Sequence, residues 1–249
     1  MILIGDIGNT DTKICLVGTN NKIIKKLVFS SKNISKISIL KKLKSLLKKN
    51  ISIKKCLFCS VVPSQFFIIN SLLRKNFKIK CTELKKINLE KIIKIKANRK
   101  QIGSDRISNS IAVLSNNKNY IIIDFGTATT FDVVIKNQYH GGVIAPGISL
   151  SLKTLVKNAS LLPKINLKKI NKVIGKNTVN AVRSGFFWGY AGLIDNIVNL
   201  IKKETKLNFR VIITGGYSEL FVKSLKSKVV IDKDITVKGL IRAVKLIKF

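Results

Sequence analysis

The chain has 249 residues, 47 of them Lys or Arg and 12 of them Asp or Glu, which gives a formal net charge of +35. Hydrophobic residues make up 46 % of the chain, which excludes global disorder and allows a sizeable core. No apolar run approaches the ~20 residues that cross a bilayer. The start turns acidic at Asp6 with no basic segment before it, unlike a secretory signal. These features predict a cytoplasmic protein with no membrane partner.

The lysines are spread along the whole chain, for example as pairs at 41–42, 48–49, 85–86 and 202–203. They come with an excess of Ile and Asn, and these three residue types share A/T-rich codons. We interpret the charge as codon usage in a low-GC genome rather than as selection for a polyanion, so no specific nucleic-acid partner is expected. Non-specific binding to nucleic acid at low salt is still predicted.

The predicted elements mix strands with helices in the manner of an α/β fold. In chain order they are a hairpin over 2–17, a helix over 34–49, a strand over 55–62, a turn at Pro63, a helix over 64–74, a helix over 107–114, a hairpin over 121–135, one or two helices over 177–203, a strand over 210–214 and a closing helix over 237–247. Within 177–203, Gly185, Gly189 and Gly192 are expected to allow close packing or a break.

The two predicted hairpins resemble each other. Each has a β-rich apolar run, then D-x-G, then small hydroxyl or amide residues, then a second β-rich run, and the acidic residues are Asp6 and Asp124. A single repeat at this separation indicates two related domains rather than a solenoid. Residues 115–119 break both periodicities, so we predict an N-terminal domain over 1–117 and a C-terminal domain over 118–249.

The four cysteines include one C-x-x-C pair, Cys56 and Cys59, inside a predicted buried strand. A structural zinc site uses four ligands, and the single histidine, His140, has no partner at ligand spacing. Reduced core thiols are therefore predicted rather than a zinc site.

Both hairpins have the chemistry of a phosphate cradle. Backbone N–H groups freed by Gly and the side-chain hydroxyls and amides donate to phosphate oxygens, while the carboxylate holds a metal ion or its waters. After the strand over 210–214, Gly215 and Gly216 would let adenosine approach the backbone closely. Neither a P-loop nor a G-x-G-x-x-G pattern occurs, so those nucleotide folds lose support.

A further candidate is the segment Gly103, Ser104, Asp105 and Arg106, directly before the predicted helix over 107–114. A helix N-terminus ordinarily favours an ionised carboxylate. From the residues alone, Asp105 is either a capping residue beside an exposed Arg or a general base. The Arg106 fork suits a substrate carboxylate.

Two phosphate hairpins and a late Gly-Gly turn resemble the actin-like, sugar-kinase-like ATPase superfamily, and the finer resemblance is to type III pantothenate kinases. The matching segments are 6–10, 103–106, 124–130, 141–147, 177–178 before 184–185, and 214–216. The resemblance implies two tandem actin-like (ribonuclease H-like) domains with mixed sheets flanked by helices. It also implies ATP-dependent phosphorylation of pantothenate to 4′-phosphopantothenate, the first step of coenzyme A biosynthesis.

The same resemblance implies roles for individual residues. Asp105 would take the proton from the attacking hydroxyl, and Asp124 would hold a monovalent cation, K⁺ or NH₄⁺, while Mg²⁺ arrives with ATP. The implied ATP-binding residues are Asp6, Ile7, Gly8, Asn9, Thr10, Asp11, Thr12, Lys13 and Thr127. The implied substrate-binding residues are Gly103, Ser104, Asp105, Arg106 and Thr178.

The family supplies the residue matching Thr178 from the neighbouring subunit, which implies a homodimer with sites at its interface. Two segments near the site, Gly141–Gly142 and Pro146–Gly147, are expected to be turns.

Three positions depart from the family pattern. Lys96 stands where a substrate-lining Tyr is usual, and Arg99 stands where a Pro is usual. We predict that Lys96 is substrate-binding and meets the acidic end of pantothenate as a point charge; the alternative is a substrate pocket that differs from that of the family. Asp11 replaces a common Asn and adds negative charge beside the phosphate loop, which Lys13 or a cation would have to compensate.

Two alternatives stay open at this point. One is a non-catalytic regulatory or nucleic-acid-associated relative of the same fold, and the other is an actin-like kinase for another small hydroxy acid. Against the first, Asp6, Asp105, Arg106 and Asp124 are all present, and no basic patch is interleaved with aromatic residues.

Overall fold

The computed structural model describes residues 1–47, 51–115 and 118–247. The chain divides into two compact units, Met1–Leu114 together with Asp234–Phe249, and Ser115–Lys233. The domain boundary at 117/118 stays a prediction, and residues 116 and 117 lie outside the described part. The compact units differ from the predicted domains in two respects, since they divide between Leu114 and Ser115 and the closing segment groups with the first unit.

The elements alternate as the sequence predicts for an α/β protein. In the first unit they are β1 (Ile2–Ile7), β2 (Asp11–Val17), β3 (Ile23–Ser30), α1 (Lys36–Leu46), β4 (Lys55–Ser60), α2 (Pro63–Phe77), β5 (Thr82–Glu83), β6 (Lys94–Ile95) and α3 (Ser104–Ala112), with short 3₁₀ turns at Leu84–Lys86 and Leu89–Lys91. In the second unit they are β7 (Tyr120–Phe125), β8 (Ala128–Ile135), β9 (Gln138–Pro146), α4 (Ile148–Asn158), α5 (Thr178–Thr205), β10 (Arg210–Gly215), α6 (Ser218–Phe221) and β11 (Val229–Ile231). Helix α7 (Ile235–Leu246) returns to the first unit.

The two units repeat one strand order. In the first unit the order is β3-β2-β1-β4-β5, and five strands of the second unit follow the corresponding order β9-β8-β7-β10-β11. In each unit the first hairpin strand pairs antiparallel with the second and parallel with the fourth. The central strands β1 and β7 are buried almost throughout because they are apolar on both faces. The duplication read from the two D-x-G hairpins thus extends to both mixed sheets.

The predicted fold class, α/β with mixed sheets flanked by helices, is confirmed. The helix predicted over 34–49 is α1, and positions 48 and 49 lie outside the described residues. The stretch 177–203 is one continuous helix, α5, with Asn177 as its N-cap. Beside Gly185, Gly189 and Gly192, no described atom lies within 4 Å of where a Cβ would stand. Within the described chain these glycines therefore cause neither a break nor close packing.

The expectation of a turn at Gly141–Gly142 is wrong. Both residues lie inside β9, where the pairing with β8 shifts between Val133 and Val134 and leaves His140 as an extra residue. Gly141 has φ 118°, a conformation that suits Gly, so this glycine serves a β-bulge. Pro146 ends β9 and Gly147 is the N-cap of α4, so that change of direction is where the sequence predicts it.

Helix α7 packs directly on α3. The Ser108 hydroxyl donates to the carbonyl of Thr236 at 2.7 Å, and the Thr236 hydroxyl donates to Oδ1 of Asn109 at 2.8 Å. A Cβ at Gly239 would lie 1.8 Å from the carbonyl oxygen of Ser108, so only Gly permits this approach. Helix α7 thereby packs on and stabilises α3, the helix whose first turn contains the candidate base Asp105.

All four cysteines are buried and free of disulfides, as the prediction of core thiols requires. No described helix is both long enough and apolar enough to cross a membrane.

Candidate functional site

The first hairpin turns through Gly8, Asn9 and Thr10 between β1 and β2. The amide of Gly8 donates to the carbonyl of Asp11 at 3.0 Å, and the amide of Ser31 donates to the carbonyl of Thr10 at 2.8 Å. Asn9, Thr10 and Asp11 are exposed, so their polar groups face solvent at the tip of the hairpin. Of the other predicted ATP-binding residues, Ile7 and Thr12 are buried beneath this tip, and the Thr12 hydroxyl is hydrogen-bonded to Ser31 at 2.8 Å.

Asp6 lies at the base of this hairpin, where three strands meet. It is opposite Lys13 on β2 and opposite Cys59 on β4, so the three side chains share one face of the sheet. The Cys59 thiol donates to Oδ1 of Asp6 at 3.5 Å. Burial raises the pKa of that thiol, so it stays protonated and able to donate.

Loss of hydration raises the pKa of Asp6 to about 6, and the negative charge of Asp105 adds to the rise. Lys13 and the Cys59 thiol act in the opposite direction but do not cancel it. Because a bound cation would supply the missing positive charge, Asp6 is a suitable oxygen ligand for Mg²⁺ brought in with nucleotide phosphates.

Asp105 lies in the first turn of α3, which has Gly103 as its N-cap. Its Oδ1 accepts a hydrogen bond of 2.8 Å from the amide of Arg106. A Cβ on Gly103 would lie 2.4 Å from the same oxygen, so Gly at this position leaves room for the carboxylate.

The helix N-terminus does not keep the pKa of Asp105 at its ordinary value. Burial raises the pKa of Asp105, while the amide and guanidinium of Arg106 lower it only in part. Desolvation therefore outweighs the helix terminus, and the carboxylate is a stronger base than a solvent-exposed Asp.

The second hairpin carries Asp124 and Thr127 on the second unit. The amide of Gly126 donates to the carbonyl of Ala128 at 3.1 Å, and Thr127 is exposed at the tip. Gly215 ends the neighbouring strand with φ 85°, and a Cβ there would lie 2.6 Å from Oδ1 of Asp124. Only a glycine at this position permits the close approach of the Asp124 carboxylate.

Two further glycines border this hairpin. A Cβ on Gly147 would lie 1.9 Å from the carbonyl oxygen of Thr127, so the start of α4 packs on the hairpin tip. Gly216 donates its amide to the carbonyl of Phe125 at 3.2 Å, and no described atom lies within 4 Å of its Cβ position. Gly216 is therefore open on one side, as the approach of a nucleotide would require.

Lys96 is exposed in the loop that leads from β6 towards α3. Two basic side chains connect this loop to the first 3₁₀ turn by hydrogen bonds. Arg99 donates to the carbonyls of Lys85 and Ile87 at 3.1 and 3.2 Å. Lys85 donates in return to the carbonyls of Lys100 and Ile102, both at 3.0 Å. Hydrogen bonds from Arg99 thus restrain a position where Pro is usual in the resembling family.

Thr178 is the first residue of α5 and is exposed. The side chain of Asn177 caps the helix by accepting from the amide of Asn180 at 2.9 Å. The helix start predicted at this position is confirmed, and the hydroxyl of Thr178 is not needed as the cap.

The structure brings Asp6, Lys13 and Asp105 into one electrostatic neighbourhood of the first unit. Sequence reasoning did not identify Cys59 and Glu83 as neighbours of these three residues. Glu83 Oε2 accepts a hydrogen bond from the amide of Lys85 at 2.7 Å, and burial raises the pKa of Glu83. Only the pairing register of β1 with β4 places Cys59 beside Asp6, and a local sequence pattern does not reveal this register. The described residues hold no cluster of three or more His, Cys, Asp or Glu arranged to bind a metal.

The profile of the type III pantothenate kinase family matches residues 2–200 of the chain. The type III pantothenate kinase of Pelagibacter ubique (strain HTCC1062) is 64 % identical over 248 residues, which cover 100 % of both chains.

Solved structures show the fold at lower identity. A protein described as a Baf family transcriptional activator from Campylobacter jejuni superposes with a TM-score of 0.61 at 18 % identity, covering 98 % of each chain. The activator of 2-hydroxyisocaproyl-CoA dehydratase from Clostridium difficile, with bound ADPNP, has a TM-score of 0.55 at 11 % identity and covers 100 % of this chain and 98 % of its own. Structural neighbours of this chain are actin-like sugar kinases and ATPases, which confirms the predicted actin-like fold. With the family profile and a full-length relative in agreement, the chain belongs to the type III pantothenate kinases.

Proposed function

We propose that this kinase, which phosphorylates pantothenate with ATP, uses Asp105 as its general base. The observation that carries the assignment is the position of Asp105. Its carboxylate stands in the first turn of α3, desolvated and near enough to Asp6 for its charge to raise the pKa of Asp6. A base of this kind must lie beside the group that holds the nucleotide phosphates.

In the proposed step, Asp105 takes the proton of the primary hydroxyl of pantothenate. The hydroxyl oxygen forms a bond to the γ-phosphorus, and the bond from that phosphorus to the β–γ bridging oxygen breaks, releasing ADP. The raised pKa of Asp105 brings it closer to the operating pH, where general-base assistance is typically worth ~10²–10⁴ in rate.

The first hairpin is proposed to hold the ATP phosphates. The exposed tip offers the polar groups of Asn9, Thr10 and Asp11, and Lys13 places a positive charge opposite Asp6. Asp6 would hold the Mg²⁺ that accompanies ATP, whose chemistry is to neutralise charge on the phosphates. Lys13 is directly opposite Asp6, whereas the exposed Asp11 lies two residues away along β2. Lys13 is therefore the residue that compensates the negative charge of Asp6.

On the second unit, Asp124 is proposed to hold a monovalent cation, K⁺ or NH₄⁺, and Thr127 to contact ATP. What supports this is the position of the Asp124 carboxylate against Gly215 at the end of the neighbouring strand, together with the exposed hairpin tip. Carboxylate oxygen is a hard ligand that suits such a cation.

Pantothenate is proposed to lie against Gly103, Arg106 and Lys96. Arg106 and Lys96 provide positive charge for the acidic end of the substrate. Arg99 and Lys85 hold the loop that carries Lys96.

A homodimer is proposed, in which Thr178 reaches the substrate of the neighbouring subunit. Thr178 is exposed, and the second unit also exposes large apolar side chains, among them Ile144 (64 %) and Ile174 (84 %). Exposed apolar side chains of this size are typical of a surface that a partner covers.

The reaction is tested by ADP release with ATP, Mg²⁺, K⁺ and pantothenate, with the phosphorylated product identified by mass spectrometry. We expect pantothenate-dependent turnover that falls at least ~10²-fold in Asp105→Asn. A folded wild-type protein that turns over another hydroxy acid but not pantothenate would overturn the substrate assignment.

The shared site is tested by mixing subunits. Asp105→Asn and Thr178→Arg homodimers are both expected to be inactive, but a mixed dimer contains one site with Asp105 and Thr178 intact. Recovered activity on mixing supports the shared site, whereas mixtures no more active than their components contradict it.

A further inference from the structure

Ser104 lies next to the proposed base and is 1 % exposed. Its hydroxyl accepts a hydrogen bond of 2.7 Å from the amide of Ser60 and donates one of 2.9 Å to the carbonyl of the same residue. A hydroxyl has a single hydrogen to donate, and its acceptors here are the Ser60 carbonyl and the Glu83 carboxylate, which also interacts with the Ser60 backbone. Substrate contact, the role implied for Ser104 by resemblance, leaves this pair of bonds unexplained.

Ser60 is the last residue of β4, the strand that lies beside β1. It is opposite Ile7, and its neighbour Cys59 is opposite Asp6 and donates to its carboxylate. The end of β4 therefore has a fixed position relative to Asp6.

Ser104 is the first residue of α3, and Asp105 is the second. A covalent and hydrogen-bonded connection thus runs from Asp6 through Cys59 and Ser60 to Ser104 and Asp105. The side-chain cap that often anchors the start of a helix is absent from α3 among the described residues, since Gly103 is its N-cap. The two bonds to Ser60 anchor the start of α3 to the sheet instead.

We infer that Ser104 is a positioning residue, whose paired hydrogen bonds to Ser60 set the separation between Asp105 and Asp6, at the base of the proposed phosphate-binding hairpin. The inference rests on the proposed role of Asp105 as base. A base must stand within hydrogen-bond reach of the proton it removes, and a displacement of about 1 Å can cost ~10²-fold in rate. Loss of the clamp would displace the first turn of α3, which carries both Asp105 and Arg106, relative to Asp6.

The experiment compares Ser104→Ala with Ser110→Ala. Ser110 is a matched control because it is also fully buried on α3, but its hydroxyl donates to the carbonyl of Arg106 within the same helix, at 2.9 Å. We expect Ser104→Ala to lower kcat at least ~10-fold with KM for ATP changed less than about twofold, and Ser110→Ala to change kcat less than about twofold. A raised KM for pantothenate with kcat unchanged would overturn the inference in favour of substrate contact.

A double-mutant cycle with Asp105→Asn tests whether Ser104 acts through Asp105. Once the base is removed, Ser104→Ala should change the residual rate less than about twofold, because the position of an absent base cannot matter. An undiminished effect in the Asp105→Asn background would contradict the inference.

Hydrogen exchange of the Ser60 amide tests the clamp without any turnover. This amide should exchange faster in Ser104→Ala and be unchanged in Ser110→Ala. If wild-type protein lacks turnover with pantothenate, the proposed function fails on its own, and unchanged exchange in Ser104→Ala would separately remove the clamp. Should Ser104→Ala not fold, Ser104→Cys, with a weaker donor, is expected to show an intermediate kcat, and full activity in it would contradict the inference.

Discussion

Asp6 and Lys13 lie directly opposite each other in the antiparallel pair formed by β1 and β2, yet Asp6 keeps a pKa raised to about 6. The charge of the lysine opposes the loss of hydration without overcoming it. The ligand-free site therefore holds a carboxylate that is short of compensating positive charge.

This shortage predicts that Asp6→Asn stabilises the ligand-free protein at high pH. Because the pKa of Asp6 in the folded state is above its ordinary value of 3.8, the protonated form contributes stability that is complete below about pH 4 and lost as pH rises through about 6. At pH 8 we expect Asp6→Asn to raise the free energy of unfolding by on the order of 1–3 kcal/mol. The difference should shrink at pH 5. Urea unfolding at the two pH values measures it.

Asp11→Asn is the control, since it removes an exposed carboxylate from the same hairpin. We expect it to change the free energy of unfolding by less than about 0.5 kcal/mol at either pH. An Asp6→Asn effect of equal size at both pH values would show that its cause is not the charge.

The acid limb of kcat/KM should report Asp105 together with Asp6, whose pKa is about 6. The base must be ionised to accept a proton, and burial raises its pKa, so activity is expected to fall on acidification at a higher pH than for an exposed Asp. Arg106→Gln removes a charge that lowers this pKa, so the limb should move to higher pH. Arg74→Gln removes the same charge from an exposed position on α2 and should leave the limb in place. A limb that moves down in Arg106→Gln would rule out Asp105 as the titrating base.

Gly239→Ala is predicted to destabilise the first unit strongly. Its Cβ would lie 1.8 Å from the Ser108 carbonyl oxygen, so α7 or α3 would have to move. We expect a loss of about 3 kcal/mol or more in the free energy of unfolding. Gly189→Ala is the matched helical control: no described atom lies within 4 Å of its Cβ position, and it should gain roughly 0.5–1 kcal/mol. Equal effects from the two changes would contradict the packing of α7 on α3.

Gly215 and Gly216 are predicted to affect different ligands. Gly215→Ala places a Cβ 2.6 Å from Oδ1 of Asp124 at φ 85°, so the K⁺ concentration for half-maximal activity should rise several-fold. Gly216→Ala meets no described atom within 4 Å and should raise KM for ATP without changing the K⁺ response. Titrations of K⁺ and ATP separate the two, and identical profiles would remove the cation role of Asp124.

Lys96 is predicted to bind the acidic end of pantothenate. Lys96→Ala should raise KM for pantothenate about fivefold, because an exposed charge pair is worth about 1 kcal/mol or less. It should leave KM unchanged for an analogue in which an alcohol replaces the carboxylate. Lys94→Ala, which removes a neighbouring exposed lysine, is the control. Equal effects on the charged and uncharged substrates would contradict the prediction.

The sequence predicts most elements of this fold because their signals are local. Two D-x-G hairpins, a Pro at the start of α2 and an Asn cap on α5 each lie within a few residues of the element they define. The strand β3 and the bulge in β9 were not predicted, because lysines interrupt the apolar pattern of β3 and a glycine pair inside a strand resembles a turn.

The environment of the candidate base could not be predicted in the same way. The first turn of α3 gives Asp105 a helix N-terminus, which suggests an ordinary ionised carboxylate. Its desolvation and the clamp from Ser104 to Ser60 depend on residues 44 positions apart in sequence, and only the assembled sheet brings them together.

Helix α7 has a consequence for the order in which the protein becomes active during synthesis. Helix α3, which carries Asp105 in its first turn, packs against residues made more than 120 positions later, through Ser108 and Thr236. Until Ile235–Leu246 has left the ribosome, the first unit has every proposed residue of the first hairpin and of α3 but lacks the helix that covers α3. A nascent chain interrupted before this point would therefore carry the proposed base on an uncovered helix, exposing apolar surface to chaperones and proteases.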